Sequence, residues 1–262
     1  MLKFSLVILS IIVWTQGCVV ISPGANGVSV ERNTHPGHVL IENFQSYEKK
    51  PLLCSGVLIS DRYVLTTASC VTDNIFLNVH LNAYTLRDVF EEKRVIYRAK
   101  SSTIRPGYDT DFFINDVAVI ELPETLIFTG KPYAPVVLPR PIDILKENTV
   151  GKFVGWGIMN YEDTKAALTK QEMEVNTISE AKCREIFPLW KTPSESAGRA
   201  CVATPESKIN CVSDVGSPFM IGNKVFGLQS FGQKFACSKG NPSAIQEIRY
   251  HSSWIRAVTG ML

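Results

Sequence analysis

The chain has 262 residues, 45% of them hydrophobic, and its 27 Lys and Arg nearly balance 25 Asp and Glu, for a formal net charge of +2. Because these charges are interspersed, the composition gives no support for binding to nucleic acid or to another polyanion. The length is enough for a large core, and β-barrel proteins of about 200–250 residues can form one unit.

Residues 1–17 are typical of a secretory signal peptide. Lys3 supplies the positive start, residues 6–14 form a short apolar run, and small residues follow it. A transmembrane anchor is the alternative, but the run is too short for a hydrocarbon core about 30 Å thick. No later segment is long and apolar enough to span a membrane. We therefore expect a secreted, extracellular protein that begins at Cys18 and does not contact a membrane.

Short runs rich in β-forming residues follow along the chain. Residues 55–59 and 63–66 flank Ser60-Asp61-Arg62, which has the composition of a turn. Residues 117–122 are almost continuously apolar, which is typical of a strand buried on both faces. Residues 134–147 contain three prolines and are interpreted as a linker. The pattern predicts a protein built mainly of strands.

Seven cysteines are present, and sulfurs in an oxidising compartment tend to pair. Six lie in the body of the chain, at Cys54, Cys70, Cys183, Cys201, Cys211 and Cys237. Six cysteines allow fifteen connectivities, and spacing alone does not choose among them. Cys18 is left over, and it leaves with the signal peptide, remains a free thiol or bridges to another chain.

Three segments carry a resemblance to a known family. Residues 211–219, CVSDVGSPF, resemble the C-x-G-D-S-G-G-P-L nucleophile loop of trypsin/chymotrypsin-like serine proteases, with Val215 at the serine position. Residues 65–70, LTTASC, resemble the L-T-A-A-H-C block, with Ser69 at the histidine position. Asp116 matches the third catalytic position, in a segment that resembles N-D-I-A-L. The resemblance therefore implies a protease fold in which two of three catalytic groups are replaced.

Further blocks extend the resemblance over roughly residues 28–258, among them residues 152–157, residues 225–232 and the Trp254 segment. The resemblance implies an all-β fold of two six-stranded antiparallel β-barrels, with a C-terminal helix around residues 250–258. The first barrel is expected at about 28–134, the linker at about 135–147, and the second barrel with the helix at about 148–262. It also implies the disulfides Cys54–Cys70, Cys183–Cys201 and Cys211–Cys237, each contributing roughly 2–4 kcal/mol.

Acyl transfer in this family needs a hydroxyl nucleophile, an imidazole base and a carboxylate that holds the imidazole. Loss of the serine or the histidine of such a triad lowers turnover by about 2 × 10⁶. Ser213 and Ser217 flank Val215, but a hydroxyl without a base is a poor nucleophile. The four histidines, His35, His38, His80 and His251, are expected in surface or loop positions. Asp116 is then expected to be satisfied by backbone N–H or hydroxyl groups, including Ser69.

The activation and specificity features of the family are also altered. Asp214 matches the aspartate that pairs with the new N-terminus of active relatives, but no Ile-Val-Gly-Gly activation sequence is present. An apolar residue, Ile209, stands where trypsin-like enzymes have an acidic pocket floor, so a basic side chain would be buried unpaired. The positions of the former substrate pocket are Ile209, Ser213, Ser230, Phe231, Gly232 and Ser243. We expect a partly filled, vestigial pocket.

These substitutions predict a non-catalytic binding protein, without cofactor or metal, that acts as cofactor, decoy or regulator in an extracellular cascade. Its partner is expected to be a protease, a protease inhibitor or a protease substrate, as for the inactive homologues frequent in arthropods. Recognition is expected through aromatic residues of loops around the cleft: Tyr108, Phe112, Phe113, Tyr161, Trp190, Phe231 and Phe235. The alternatives are a hydrolase with an unorthodox site and a structural or storage protein.

Overall fold

The computed structural model describes residues 27–157, 167–187, 198–203, 209–210, 215–232, 238–239 and 242–261. The predicted signal peptide, Cys18, the predicted Cys211–Cys237 pair, Ser213 and Asp214 lie outside these residues. The described strands are β1 Gly27–Ser29, β2 His38–Phe44, β3 Leu52–Leu58, β4 Tyr63–Thr66, β5 Phe76–Leu81, β6 Val95–Arg98, β7 Ser101–Ile104, β8 Ala118–Glu121, β9 Val150–Gly155, β10 Gln171–Thr177, β11 Arg199–Ala203, β12 Ile209–Asn210, β13 Pro218–Ile221, β14 Lys224–Gly232, β15 Ser238–Lys239 and β16 Pro242–Glu247.

The first antiparallel sheet has the order β6-β5-β2-β3-β4-β8-β7. Its edge strands β6 and β7 are separated by Ala99 and Lys100 alone, and these two residues donate backbone hydrogen bonds to Leu77 and to Glu121. The bent segment 95–104 therefore pairs with β5 at one end and with β8 at the other. Counted as one strand, this segment gives the predicted six-stranded first barrel.

The second sheet has the order β1-β10-β11-β16-β14-β13-β9, and an additional pairing between β10 and β9 closes six of its strands into a barrel. The seventh, β1, pairs through Val28 with Glu172 of β10. The first residues that the structure describes thus join the second barrel, whereas the sequence analysis placed the start of the first barrel at about residue 28. A short separate pair of strands, β12 and β15, places Ile209 opposite Lys239.

Successive side chains of a strand point to opposite faces of the sheet. The side chains of β8 therefore pack alternately into two different cores. Ala118 and Ile120 face the core of the first barrel, while Val119 faces a second core shared with Val154 and Leu228 of the second barrel. The near-continuous apolar run of this segment was predicted to be buried on both faces, and its residues lie in both cores. This shared core fixes the relative position of the two barrels.

Two helices and two disulfides complete the described structure. Helix α1, Glu180–Ile186, was not predicted from the sequence, and it begins after Ser179, whose side chain accepts a hydrogen bond from the Lys182 backbone N–H. Helix α2 spans Ile248–Thr259 and extends beyond the expected residues 250–258 at both ends. The predicted disulfides Cys54–Cys70 and Cys183–Cys201 are present. The third remains a prediction.

The linker runs between β8 and β9 and touches both barrels. The Val136 backbone N–H donates to the Leu58 carbonyl in the first barrel, at 2.8 Å. The neighbouring Val137 forms an isolated β-bridge with Lys224 in the second barrel. The segment is therefore packed along both barrels rather than extended between them.

Candidate active cleft

Asp116 is fully buried between the two barrels, and hydrogen-bond donors surround its carboxylate. The Ser69 backbone N–H donates to Oδ1 at 2.7 Å, and the Ser69 hydroxyl donates to Oδ2 at 3.1 Å. From the second barrel, the Ser230 hydroxyl donates to the same Oδ2 at 2.5 Å. The structure therefore brings Ser69 and Asp116 together, with the hydroxyl and backbone contacts that the sequence analysis expected. It adds Ser230, which had been placed in the substrate pocket.

Burial dominates the acid–base behaviour of this carboxyl. Removal from water disfavours the ionised form and raises the pKa of Asp116 from its ordinary value of 3.8 to about 6. The hydrogen bonds from Ser230, Ser69 and the Ala68 backbone act in the opposite direction, because they favour the carboxylate. Neutral donors therefore offset the cost of burial only in part.

The hydroxyl groups of Thr67 and Tyr108 lie next to the Ser69 hydroxyl. The Ser69 hydroxyl lies 3.1 Å from the Thr67 hydroxyl, and the Tyr108 hydroxyl is hydrogen bonded to both Ser69 and Thr72. Burial and the nearby Asp116 raise the pKa of Tyr108 to about 12, so this phenol stays protonated at neutral pH. Tyr108 is thus a partly buried member of a hydroxyl network, and its role in recognition stays a prediction. None of the hydroxyl groups described in this network accepts a proton near neutral pH, whereas the adjoining Asp116 carboxyl, with a pKa of about 6, does.

Val215 and Gly216 form backbone hydrogen bonds with both barrels. The Val215 carbonyl accepts the Ser55 backbone N–H at 2.9 Å, and its side chain packs against the core of the first barrel. The Gly216 backbone N–H donates to the Gln229 carbonyl at 2.7 Å, next to Ser230. Gly216 has φ +85°, and an added Cβ would collide with the Ser55 carbonyl oxygen, so this position requires glycine. These contacts place Val215 at the same junction as Asp116.

Ser217 follows in the same loop, where the family pattern has glycine. Its side chain is fully buried, and its hydroxyl has no hydrogen-bond partner among the residues that the structure describes. A buried hydroxyl in this state lacks the base that would activate it as a nucleophile.

All four histidines of the chain lie in described segments, and none is a hydrogen-bond partner of Asp116. His35 contacts Glu172, His38 contacts the Ser55 hydroxyl, and His80 contacts Glu42. The expectation of surface or loop positions was wrong for three of them, because His38, His80 and His251 are buried in strands or in helix α2. Burial lowers the pKa of His38 well below 6.5 and that of His251 to about 3, so both stay neutral.

An aromatic wall next to Asp116 and Ser230 is built from Phe113, between β7 and β8 of the first barrel, and from Phe187 and Phe231 of the second barrel. The rings of Phe113 and Phe231 are stacked with centroids 5.0 Å apart, and Phe187 meets Phe231 edge-on at 5.2 Å. Phe113 has φ +53°, a left-handed conformation that is strained for a bulky residue. Its backbone carbonyl accepts a hydrogen bond from the Gln246 side chain at 2.9 Å. Strained backbone of this kind concentrates at functional sites.

The chain matches the family model described as Trypsin over residues 25–255. It belongs to the trypsin family. Among relatives in this family, brachyurin of Leptuca pugilator is 27% identical over 208 residues, which are 79% of this chain and 88% of that relative. Granzyme M of Rattus norvegicus is 26% identical over 231 residues, which are 87% of this chain and 86% of that relative.

Solved structures show the same trypsin-family fold. A structure described as HL collagenase is similar with a TM-score of 0.78 and 22% identity, and the match covers 91% of this chain and 99% of that one. Neuropsin, described as a serine protease expressed in the limbic system of mouse brain, has a TM-score of 0.75 and 22% identity, with 88% and 98% covered. At this identity the likeness concerns the chymotrypsin-like fold alone.

Part of the predicted substrate pocket lies within the described residues. Gly232 pairs with Ser243 across β14 and β16, and the buried Gln229 amide donates to the Ser243 hydroxyl at 3.5 Å. Gln229 was not predicted as a pocket residue, although it precedes Ser230 in the matched strand. Ser213 and the aromatic positions Tyr161, Trp190 and Phe235 lie outside the described residues, and Ile209 is described in its backbone only.

The described residues contain no group of three or more His, Cys, Asp or Glu side chains that could hold a metal ion. Across the same residues, every helix is too short or too polar to cross a lipid bilayer.

Proposed function

We propose that this trypsin-family protein is secreted and non-catalytic, and that it acts by binding an extracellular protein with the face around its cleft. The observation that carries the proposal is the set of partners of Asp116. In catalysis this carboxylate holds an imidazole, which takes the proton of the serine nucleophile. Here two serine hydroxyls and a backbone N–H donate hydrogen bonds to the Asp116 carboxylate instead. The aliphatic Val215 aligns with the nucleophile position of the family motif.

The disulfides support an extracellular location. Disulfides persist in oxidising compartments, and Cys54–Cys70 and Cys183–Cys201 are both buried in the fold. The signal-like residues 1–17 point to the same route. The partner classes that fit a protease-like surface are a protease, a protease inhibitor and a protease substrate.

The aromatic residues along the cleft favour a role in binding a protein partner over a loss of all function. Phe113 is held in a strained conformation beside Phe231, and the neighbouring Phe112 has 39% of its surface exposed. Aromatic side chains on a rigid frame are frequent anchors of protein interfaces. We infer that a partner contacts this wall and does not insert a basic side chain over Ile209.

The first test addresses catalysis. We expect the purified protein to leave peptide and ester substrates uncleaved above background and to remain unlabelled by a fluorophosphonate probe. The alternative, a hydrolase with an unorthodox site, predicts turnover that depends on a hydroxyl of the cleft. Turnover by the wild type that is abolished in Ser217→Ala or Ser69→Ala would overturn the proposal and would also exclude a contaminating protease.

Restoring the family's residues gives a second test. We expect the double substitution Ser69→His with Val215→Ser to recover little activity. Ser213 would still occupy the oxyanion glycine position, and no activation sequence would supply the N-terminus that pairs with Asp214. Strong activity in this variant would show that the two substitutions alone remove catalysis.

A third test identifies the partner and the surface. The protein is used to capture partners from its native fluid, and mass spectrometry of the retained proteins supplies a candidate for affinity measurement. We expect Phe112→Ala to weaken that affinity, while Ile127→Ala, at a residue 73% exposed outside the cleft, leaves it unchanged. If Ile209→Asp abolishes binding and Phe112→Ala does nothing, recognition runs through the pocket and the surface is wrongly assigned.

A further inference from the structure

A second concave surface lies between the linker and helix α2, and it shares no lining residue with the cleft. Its volume is about 290 Å³. The linker contributes Val136, Leu138, Pro139 and Arg140, helix α2 contributes Ile248, Ser252, Ile255 and Arg256, and Met261 closes one end. We name this surface the linker–helix groove.

The apolar part of the groove is rigid. Ile248 and Ile255 have 0% and 1% of their surface exposed and belong to the core shared by the two barrels. Val136 and Leu138 pack against the same core from the linker. Residues 248, 252, 255 and 256 recur at the spacing that places side chains on one face of a helix. The floor is therefore preformed, and a ligand would not have to order it.

The two charged side chains that line the groove are both cationic, and one of them, Arg140, contacts both carboxylate oxygens of Asp143 beside the groove. Two of the nine lining residues are arginines, Arg140 and Arg256, and none is acidic. The Arg140 guanidinium is 68% exposed and contacts Asp143 at 3.3 Å. Asp143 also accepts Lys224 at 2.6 Å, so it is shared between two cations and neutralises Arg140 only in part. Among the described residues, Arg256 forms no ion pair within 4.0 Å.

Arg256 also has a structural explanation. It lies in the last turn of α2, where a cation interacts favourably with the helix dipole. That explanation does not extend to Arg140, which lies on the linker, or to the apolar floor between the two arginines. The combination fits a ligand that has both negative charge and an apolar group.

We propose that the linker–helix groove binds an acidic segment of a protein partner, which inserts one large apolar side chain and pairs its carboxylates with Arg140 and Arg256. The volume is at the lower limit for small-molecule pockets, about 300 Å³, and suits a side-chain anchor better than a whole ligand. Arginine forms strong paired hydrogen bonds with carboxylates. No lining residue of the groove belongs to the cleft, so the proposal does not depend on whether the cleft is catalytic.

Fluorescence anisotropy with a labelled Asp-Glu-Leu-Phe-Glu-Asp peptide tests the proposal. We expect the wild type to bind with a Kd below about 1 mM and to weaken as salt is raised from about 50 to about 300 mM. The double variant Arg140→Glu with Arg256→Glu should lose affinity about tenfold or more. Ser252→Trp, which fills the groove without a change of charge, should also lose it.

A matched control variant distinguishes binding at the groove from an effect of net charge on peptide affinity. Arg87→Glu with Lys131→Glu changes the net charge equally at two exposed residues outside the groove, and this variant should bind like the wild type. Circular dichroism shows whether each variant is folded. The proposal fails if the control pair loses as much affinity as the groove pair, or if a peptide with serines in place of Leu and Phe binds equally well. It also fails if sodium decanoate binds the groove and the peptide does not.

Discussion

Asp116 and Glu91 are two buried carboxyl groups whose pKa values are shifted in opposite directions. Asp116 in the cleft has donors without charge, and burial raises its pKa to about 6. Burial also acts to raise the pKa of Glu91, whose side chain is 2% exposed, but backbone N–H groups of Tyr84 and Thr85 and two arginines outweigh it and lower the pKa. At Glu91 the backbone donors and the two arginines outweigh the effect of burial on the pKa, whereas at Asp116 the neutral donors do not.

The surroundings of the two groups explain this difference. Glu91 accepts hydrogen bonds from Tyr84 N and Thr85 N at 2.6 and 3.0 Å and from Arg32 at 3.0 Å. Its second cation, Arg94, has a fully buried side chain and also bonds the carbonyls of Thr85 and Asp88. Glu91 and Arg94 therefore organise their loop as a neutral unit. Asp116 has no such counter-charge among the described residues.

The largest expected effect is at Glu91. Replacing it in Glu91→Gln should destabilise the protein by about 3–5 kcal/mol, because the buried Arg94 would lose its anionic partner. Urea unfolding measures the change. Glu92→Gln, at the neighbouring side chain that is 79% exposed, is the matched control and should stay within about 0.5 kcal/mol of the wild type. Equal effects of the two variants would contradict the assignment.

The second prediction concerns the pH dependence of Asp116. Because its pKa is raised on folding, from 3.8 to about 6, the folded state binds the proton more tightly than the unfolded state does. The stability contributed by this group therefore rises as the pH falls from about 6 to about 4, and the raised pKa costs up to ~3 kcal/mol above pH 6. In Asp116→Asn this dependence is absent.

Urea unfolding of the wild type and of Asp116→Asn between about pH 7 and about pH 4 measures the difference directly. The stability of the wild type relative to the variant should rise towards low pH. A difference that does not change with pH would contradict the raised pKa. Asp61→Asn, at an exposed aspartate, provides the same chemical change outside the cleft.

A smaller effect is expected at Ser230. Ser230→Ala removes one donor to the Asp116 carboxylate, so the pKa of Asp116 should rise further, and the loss should cost about 1.5–3 kcal/mol when the carboxyl is ionised. A ¹³C NMR titration measures the pKa of the Asp116 carboxyl. Urea unfolding at a pH above that pKa measures the loss in the free energy of unfolding. Ser253→Ala, at an exposed serine of α2, is the control. A lowered pKa in Ser230→Ala would show that this hydroxyl does not favour the carboxylate.

The smallest effect is expected at Arg32. Its side chain is 40% exposed, and its contact with Glu91 is open to solvent and screened by salt. Arg32→Ala should therefore cost no more than about 1 kcal/mol, measured by urea unfolding at low and high salt. A cost as large as that of Glu91→Gln would mean that Arg32, and not Arg94, is the main counter-charge.

Much of the cleft was predictable because its residues lie in contiguous motifs. Ser69, Asp116 and Val215 each stand in a short segment whose flanking residues resemble the family, and the fold then brings those segments together. The Ser69–Asp116 contact followed from the same reasoning. The donor from Ser230 did not, because a strand motif predicts a pocket position but not which atom the hydroxyl will meet.

Burial was the property that the sequence predicted least well. His38, His80 and His251 were expected at the surface, yet each is almost fully enclosed. Their local sequence is polar or mixed, and their burial depends on partners that are distant in the chain, such as Ser55 for His38 and Glu42 for His80. A single polar residue within a strand has no local signal for such a partner.

The sequence by itself determined the family resemblance, the mainly β architecture and, through that resemblance, two of the cysteine pairs. The replacement of two catalytic groups stays a prediction from the same motifs. Those features depend on residue identity at fixed spacing. Only the tertiary structure decided that β1 joins the second barrel, that Asp116 and Glu91 have opposite pKa shifts, and that Arg140 and Arg256 flank one apolar groove. Each of these depends on residues far apart in the chain, whose interaction free energy is set by distance and exclusion of water.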